Sequence, residues 1–134
     1  IWHGSTLNPD NKVGDSTRIH AGCFLEDVTL GKNIFLGPHV IFTNDPHPLV
    51  PIDFRQCWKG AKVGSGASIG ANVTVLPHVF IGKSVVVGAG SVVTKDIPSS
   101  KVAVGNPAVV IKKVEDIICD RSGKVHRPYQ KRRK

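Results

Sequence analysis

From Val63 onward a branched aliphatic residue returns at every sixth position, at Val63, Ile69, Val75, Ile81, Val87 and Val93, and four of the six are followed by glycine. The fourth residue after each is small or aliphatic: Ala67, Val73, Val79, Val85, Ser91 and Ile97. A helical period of 3.6 would scatter these positions around an axis. Extended chain that bends after each hexad instead brings them to equivalent points of a three-sided coil, two per hexad pointing inward. The spacing continues upstream through Val13, Ile19 and Leu25, meets Leu30 one residue early, and resumes at Leu36 and Phe42. Three hexads make a turn of about 18 residues, so the repeats predict roughly four to five stacked turns joined by short parallel strands.

Between Phe42 and Val63 the spacing fails by more than one hexad. Residues 43–56 are rich in proline and polar side chains, which predicts a loop thrown out of the coil, the usual place for function on a rigid scaffold. Cys57 and Ala61 then take the two inward positions of the next hexad, with Cys57 read as a small core hydrophobe and Trp58 facing outward. After Val114 the pattern stops, and residues 117–126 read as two short strands around a Gly-containing turn, a hairpin covering the open end of the coil. The expected organisation is one all-β domain over residues 1–116, followed by a cap and basic tail over 117–134.

Composition narrows the function classes. The 134 residues are 40% hydrophobic, with 14 glycines and nine prolines but only 6% aromatics, which suits a turn-rich aliphatic core and excludes disorder. No apolar run nears the roughly 20 residues that span a bilayer. The formal charge of +8 belongs to the tail, because residues 121–134 hold seven of the 18 Lys and Arg and none of the ten acids. The remaining eleven bases and ten acids leave the body at +1, so the domain carries no nucleic-acid signal. Cys23, Cys57 and Cys119 are scattered and form no CxxC pair, which fits a reducing cytoplasm better than a disulfide scaffold. The start shows no signal peptide, and in a sequence without methionine Ile1 is not an initiator.

Of the six histidines, His39 and His78 fall three residues after Leu36 and Val75, at corners facing solvent. For His3 and His20 a surface reading is at least as strong as a functional one, and His126 lies in the tail, where with Cys119 it supplies only half a zinc site. His47, bracketed by prolines inside the loop beside Asn44 and Asp45, is the one placed for chemistry.

The run Gly88-Ala89-Gly90-Ser91-Val92-Val93-Thr94-Lys95-Asp96-Ile97-Pro98, followed by Val104-Gly105-Asn106-Pro107-Ala108, resembles the terminal signature of acetyl-CoA-dependent hexapeptide acyltransferases. That family forms a left-handed parallel β-helix; the hand comes from the resemblance and runs against the right-handed crossover rule. Ile1-Trp2-His3, Phe42-Thr43-Asn44-Asp45 and Gly66 through Asn72 resemble the branch that acetylates amino groups on nucleotide-linked sugars. The resemblance covers residues 1 to about 116 and implies a homotrimer with acetyl-CoA in the groove between neighbouring coils; no metal is expected, and composition and charge already argue against a membrane or nucleic-acid partner. It also implies that acetyl-CoA runs past Ala71, Ala89, Thr94 and Lys95, with Lys112 serving the nucleotide phosphates. Val109 departs from the pattern, since the family commonly has Arg or Lys there, and phosphate binding then rests on Lys95, Lys112 and Lys113.

Acetyl transfer sends an acceptor nitrogen or oxygen to a thioester carbonyl. A hydroxyl needs a general base, and imidazole suits that at neutral pH, whereas an amine needs chiefly orientation. Aligning the loop by its His-Pro phrase puts His47 at the catalytic place, while counting back without gaps from Gly64 puts Asn44 there. The expectation is Asn44 as orienting group, His47 as nearby base and coil amides as oxyanion donors, acting on the amino group of a nucleotide-linked sugar. An O-acetyltransferase of a sugar or small hydroxyl compound is the alternative. A non-catalytic assembly module and a carbonic-anhydrase-like metal enzyme are more remote.

Overall fold

The computed structural model describes residues 1–49, 52–119 and 128. The first face of the coil stacks β1 (Thr6–Leu7), β4 (Phe24–Leu25), β7 (Ile41–Phe42), β10 (Thr74–Val75) and β13 (Val92–Val93). The second stacks β2 (Lys12–Val13), β5 (Thr29–Leu30), β8 (Lys62–Val63) and β11 (Phe80–Ile81). The third stacks β3 (Arg18–Ile19), β6 (Phe35–Leu36), β9 (Ser68–Ile69), β12 (Val86–Val87) and β14 (Lys101–Val104). All these pairings are parallel, and the chain visits the three faces in rotation through five turns, the coil expected of the repeat and the left-handed parallel β-helix implied by the resemblance.

The two-residue strands follow from the hexad. From β3 through β13 the second residue of each strand points inward and is buried, and, except after Leu25 and Phe42, the side chain four residues later fills the next corner. Phe42, Ile69 and Val85 are fully buried in this way, at about 1.5–3 kcal/mol of transfer free energy for each such side chain. Ser91 is the one polar residue at a core position among the described residues; its Oγ donates to the Gly88 carbonyl at 2.6 Å and accepts from the Gly105 amide at 3.0 Å. At the corners the chain reverses through left-handed backbone, at Asn33 and Ser84 after the second face and at His39 and Asn72 after the third.

Two expectations need correction. Val13 is 41% exposed although it holds an inward position, because no turn stacks beyond β2 in the first turn. Cys57 does not enter the core: a 3-10 helix over Ile52–Cys57 carries this stretch at about three residues per turn, and the hexad resumes at Ala61, which is fully buried. A further, antiparallel hairpin joins β15 (Val109–Lys113) to β14, so that Lys101 faces Lys113 and Val104 faces Val109. Of the hairpin expected over residues 117–126, only 117–119 lie among the described residues, and the tail after Tyr129 lies outside them.

Candidate active site

The inserted loop leaves the coil after β7, at the corner between the first and second faces, and returns before β8. Its neck is tied on three levels. The Lys59 amide donates to the Asn44 carbonyl at 2.9 Å, closing the loop on itself. In the turn before, the Gly60 amide donates to Oδ2 of Asp27 at 3.1 Å. In the turn after, the His78 amide donates to the Lys59 carbonyl at 3.1 Å, and His78 Nε2 lies 2.6 Å from the Cys57 carbonyl. The Asp27 corner is short: Leu30 follows Leu25 by five residues rather than six, and the return limb sits against this shortened bend.

Asn44 is half-buried at the neck, whereas His47 is exposed further out, its amide donating to Oδ1 of Asp45 at 2.8 Å in a tight polar turn. The two share the loop three residues apart.

The acetyl-CoA candidates divide between the two corners that bound the first face. Ala71 and Ala89 lie one turn apart at the corner leading into β10 and β13, where the Gly90 amide donates to the Ala71 carbonyl at 2.8 Å. Thr94 and Lys95 leave β13 at the opposite corner, the one from which Asn44 leaves β7 two turns earlier. Between them the outer side of the first face carries Thr6, Phe24, Ile41, Thr74 and Val92, none charged. Lys112 joins neither group, since it sits on β15 opposite Val102 at the edge of the third face. Val109 is 57% exposed on the same strand.

The corner residues suit a long, thin acyl carrier. Ala71 and Ala89 have the smallest side chains a chiral residue offers, and a Cβ built at Gly90 would meet nothing within 4 Å, so this corner is open. Lys95, Lys112 and Lys113 are exposed cations of the kind phosphate groups need.

Two features escaped the sequence reading. His20 stacks on Trp2 with ring centroids 4.9 Å apart and meets Phe35 edge-on at 4.8 Å, so it belongs to an aromatic cluster across the first two turns. His78, expected only to face solvent, touches the loop; its spacing from Val75 gave the corner but not the partner. Among the described residues no group of three or more His, Cys, Asp and Glu is placed to hold a metal ion, and no helix is long and apolar enough to cross a membrane.

Residues 60–95 match the bacterial transferase hexapeptide family (six repeats). A maltose O-acetyltransferase from Clostridium difficile superposes with a TM-score of 0.69 at 36% identity, over 87% of this chain and 68% of that one. A galactoside acetyltransferase solved with coenzyme A gives a TM-score of 0.68 at 29% identity, over 86% of this chain and 60% of that one. Among curated relatives, a galactoside O-acetyltransferase of Lactococcus lactis is 43% identical over 94 residues, 67% of this chain and 45% of its own. The chain belongs to the hexapeptide-repeat transferase family. It spans about half the length of the curated relatives it matches.

Proposed function

We propose that the chain carries the acetyl-transferring coil of an acetyl-CoA-dependent O-acetyltransferase acting on a hydroxyl of a sugar or similar small polyol. The observation that carries this reading is the placement of a histidine-bearing loop at the corner that also bears Thr94 and Lys95. The relatives named above support the hydroxyl acceptor, held at first as the alternative, over the amino group of a nucleotide-linked sugar.

Acetyl-CoA supplies an activated acetyl thioester. Ala71 and Ala89 line its path, Thr94 offers a hydroxyl for hydrogen bonding, and Lys95 and Lys112 attract the phosphates. His47 takes the proton from the acceptor hydroxyl on an imidazole nitrogen, and Asn44, seated at the loop neck, orients the acceptor through its amide.

Each groove is shared between two coils of a homotrimer, which agrees with the split of the candidates across opposite corners and with an uncharged first face. Light scattering checks this, and a monomeric mass at micromolar concentration rejects the shared groove. The function itself is tested by incubating the protein with acetyl-CoA and a panel of sugars and amino sugars, reading free thiol. Release that depends on a hydroxylated sugar supports the proposal, while release confined to amino sugars replaces it with N-acetylation.

A further inference from the structure

We infer that His78 is a positioning residue that latches the return limb of the inserted loop to the fourth turn and thereby sets where Asn44 and His47 stand. Its bearing on acetyl transfer rests on the function proposed above, but the latch itself does not.

His78 sits at the corner after β10 with φ of 65°, a left-handed backbone that glycine adopts far more readily than a residue bearing a Cβ. The side chain gains something in return. Its Nε2 lies 2.6 Å from the Cys57 carbonyl oxygen, and since a carbonyl only accepts, Nε2 carries the proton and donates it. Cys57 ends the 3-10 helix, where the last carbonyls find no partner within the helix, so the imidazole caps that end. The backbone of the same residue holds a second point, its amide donating to the Lys59 carbonyl at 3.1 Å. Lys59 passes the constraint on, because its own amide donates to the Asn44 carbonyl at 2.9 Å. One corner residue therefore grips the return limb at two carbonyls and is linked through Lys59 to the candidate orienting group.

At a φ of 65° a residue that merely filled a solvent-facing corner would lose little by replacement with glycine, since relief of the left-handed backbone offsets the added freedom of the unfolded chain. A latch would lose its hold on the limb, and this separates the two roles. Arg55 and Lys59 are exposed and flank Cys57, so trypsin cleavage at Arg55–Gln56 and Lys59–Gly60 reports release of the limb, while thermal unfolding followed by circular dichroism reports the coil. In His78→Gly, cleavage at these two bonds is expected to run about two- to twelvefold faster, as loss of one net hydrogen bond predicts, with the unfolding midpoint level or raised. His78→Ala gives the same acceleration with a glycine-independent backbone. Unchanged cleavage in both variants overturns the latch, and so does faster cleavage in His78→Gly accompanied by a lower midpoint. With maltose as acceptor, the glycine variant should raise the acceptor KM about fivefold and leave the acetyl-CoA KM within about twofold. Should the wild type transfer acetyl to no sugar, the proposed function falls while the cleavage rates still decide the latch.

Discussion

Oδ2 of Asp27 accepts the amide proton of Gly60 at 3.1 Å, tying together two corners that lie 33 residues apart in sequence. The approach is so close that a Cβ at Gly60 would run into the carbonyl groups of Asp27 and Glu26, backbone atoms that cannot swing aside.

Gly60→Ala should therefore destabilise the fold by about 3 kcal/mol through overpacking, and lift the return limb from its seat. Gly90 makes a useful contrast: its φ of +73° disfavours a side chain, but the space is open, so Gly90→Ala should cost only about 1 kcal/mol. Denaturant titration of the two variants checks the order, and a larger loss at Gly90 would show that the limb is not seated on the Asp27 corner.

A second expectation concerns the chemistry. For hydroxyl acetylation His47→Ala should lower kcat by about 10²- to 10⁴-fold, the usual contribution of a general base, while Asn44→Ala has the smaller effect and falls mainly on KM. Steady-state kinetics on both variants decide the register of the loop. The reverse order supports the amine-orienting reading, and indifference to both places the chemistry elsewhere.

Ser91→Ala should cost about 1–3 kcal/mol although it removes a single oxygen, because the Gly105 amide loses the acceptor that reaches it at 3.0 Å. The corner that carries Ala89 and Gly90 should loosen with it. Chemical unfolding gives the stability, and hydrogen exchange at Gly105 gives the local effect; a loss confined to a few tenths of a kcal/mol would mean water replaces the hydroxyl.

Burial pushes the Cys23 thiol above its ordinary value of 9.0, a shift only partly opposed by hydrogen bonds from the Val40 and His39 backbone and from Ser5. The folded state thus holds this proton more tightly than the unfolded chain. Its stabilising contribution is complete below the ordinary thiol range and is lost as the pH rises through the raised folded value. A neutral-pH alkylating reagent should accordingly reach exposed Cys119 first, half-buried Cys57 more slowly and Cys23 only on unfolding, with mass spectrometry recording the sequence of labelling.

The coil was legible because a solenoid writes its contacts into a period. Val63, Ile69, Val75, Ile81 and Val87 each face the turns on either side, so the spacing alone identified them as core. Leu30, one residue early, was legible as a defect, but its meaning appears only when Gly60 is seen resting on the shortened bend. Cys57 was misplaced because a 3-10 helix has no six-residue rhythm to count. The β14–β15 hairpin was missed because all five residues of β15 are exposed and show no alternation between buried and open positions. In the loop, Asn44 and His47 were visible as residue types, yet their geometry depends on Asp27 and His78, one from an earlier turn and one from a later one.

The three ties on the loop neck turn the corner into a socket. Asp27, the Asn44–Lys59 pair and His78 lie on successive turns, and their ties end on the backbone of Asn44, Cys57, Lys59 and Gly60, so none calls for a particular side chain in the segment between Asn44 and Cys57. Segments of other length or composition can be plugged between Asn44 and Cys57 without disturbing the stack, since each turn of a solenoid feels only the turns next to it. A scaffold built this way permits the loop to diverge quickly while the corners proposed for the acyl donor stay unchanged, and it gives protein engineers a defined pair of splice points.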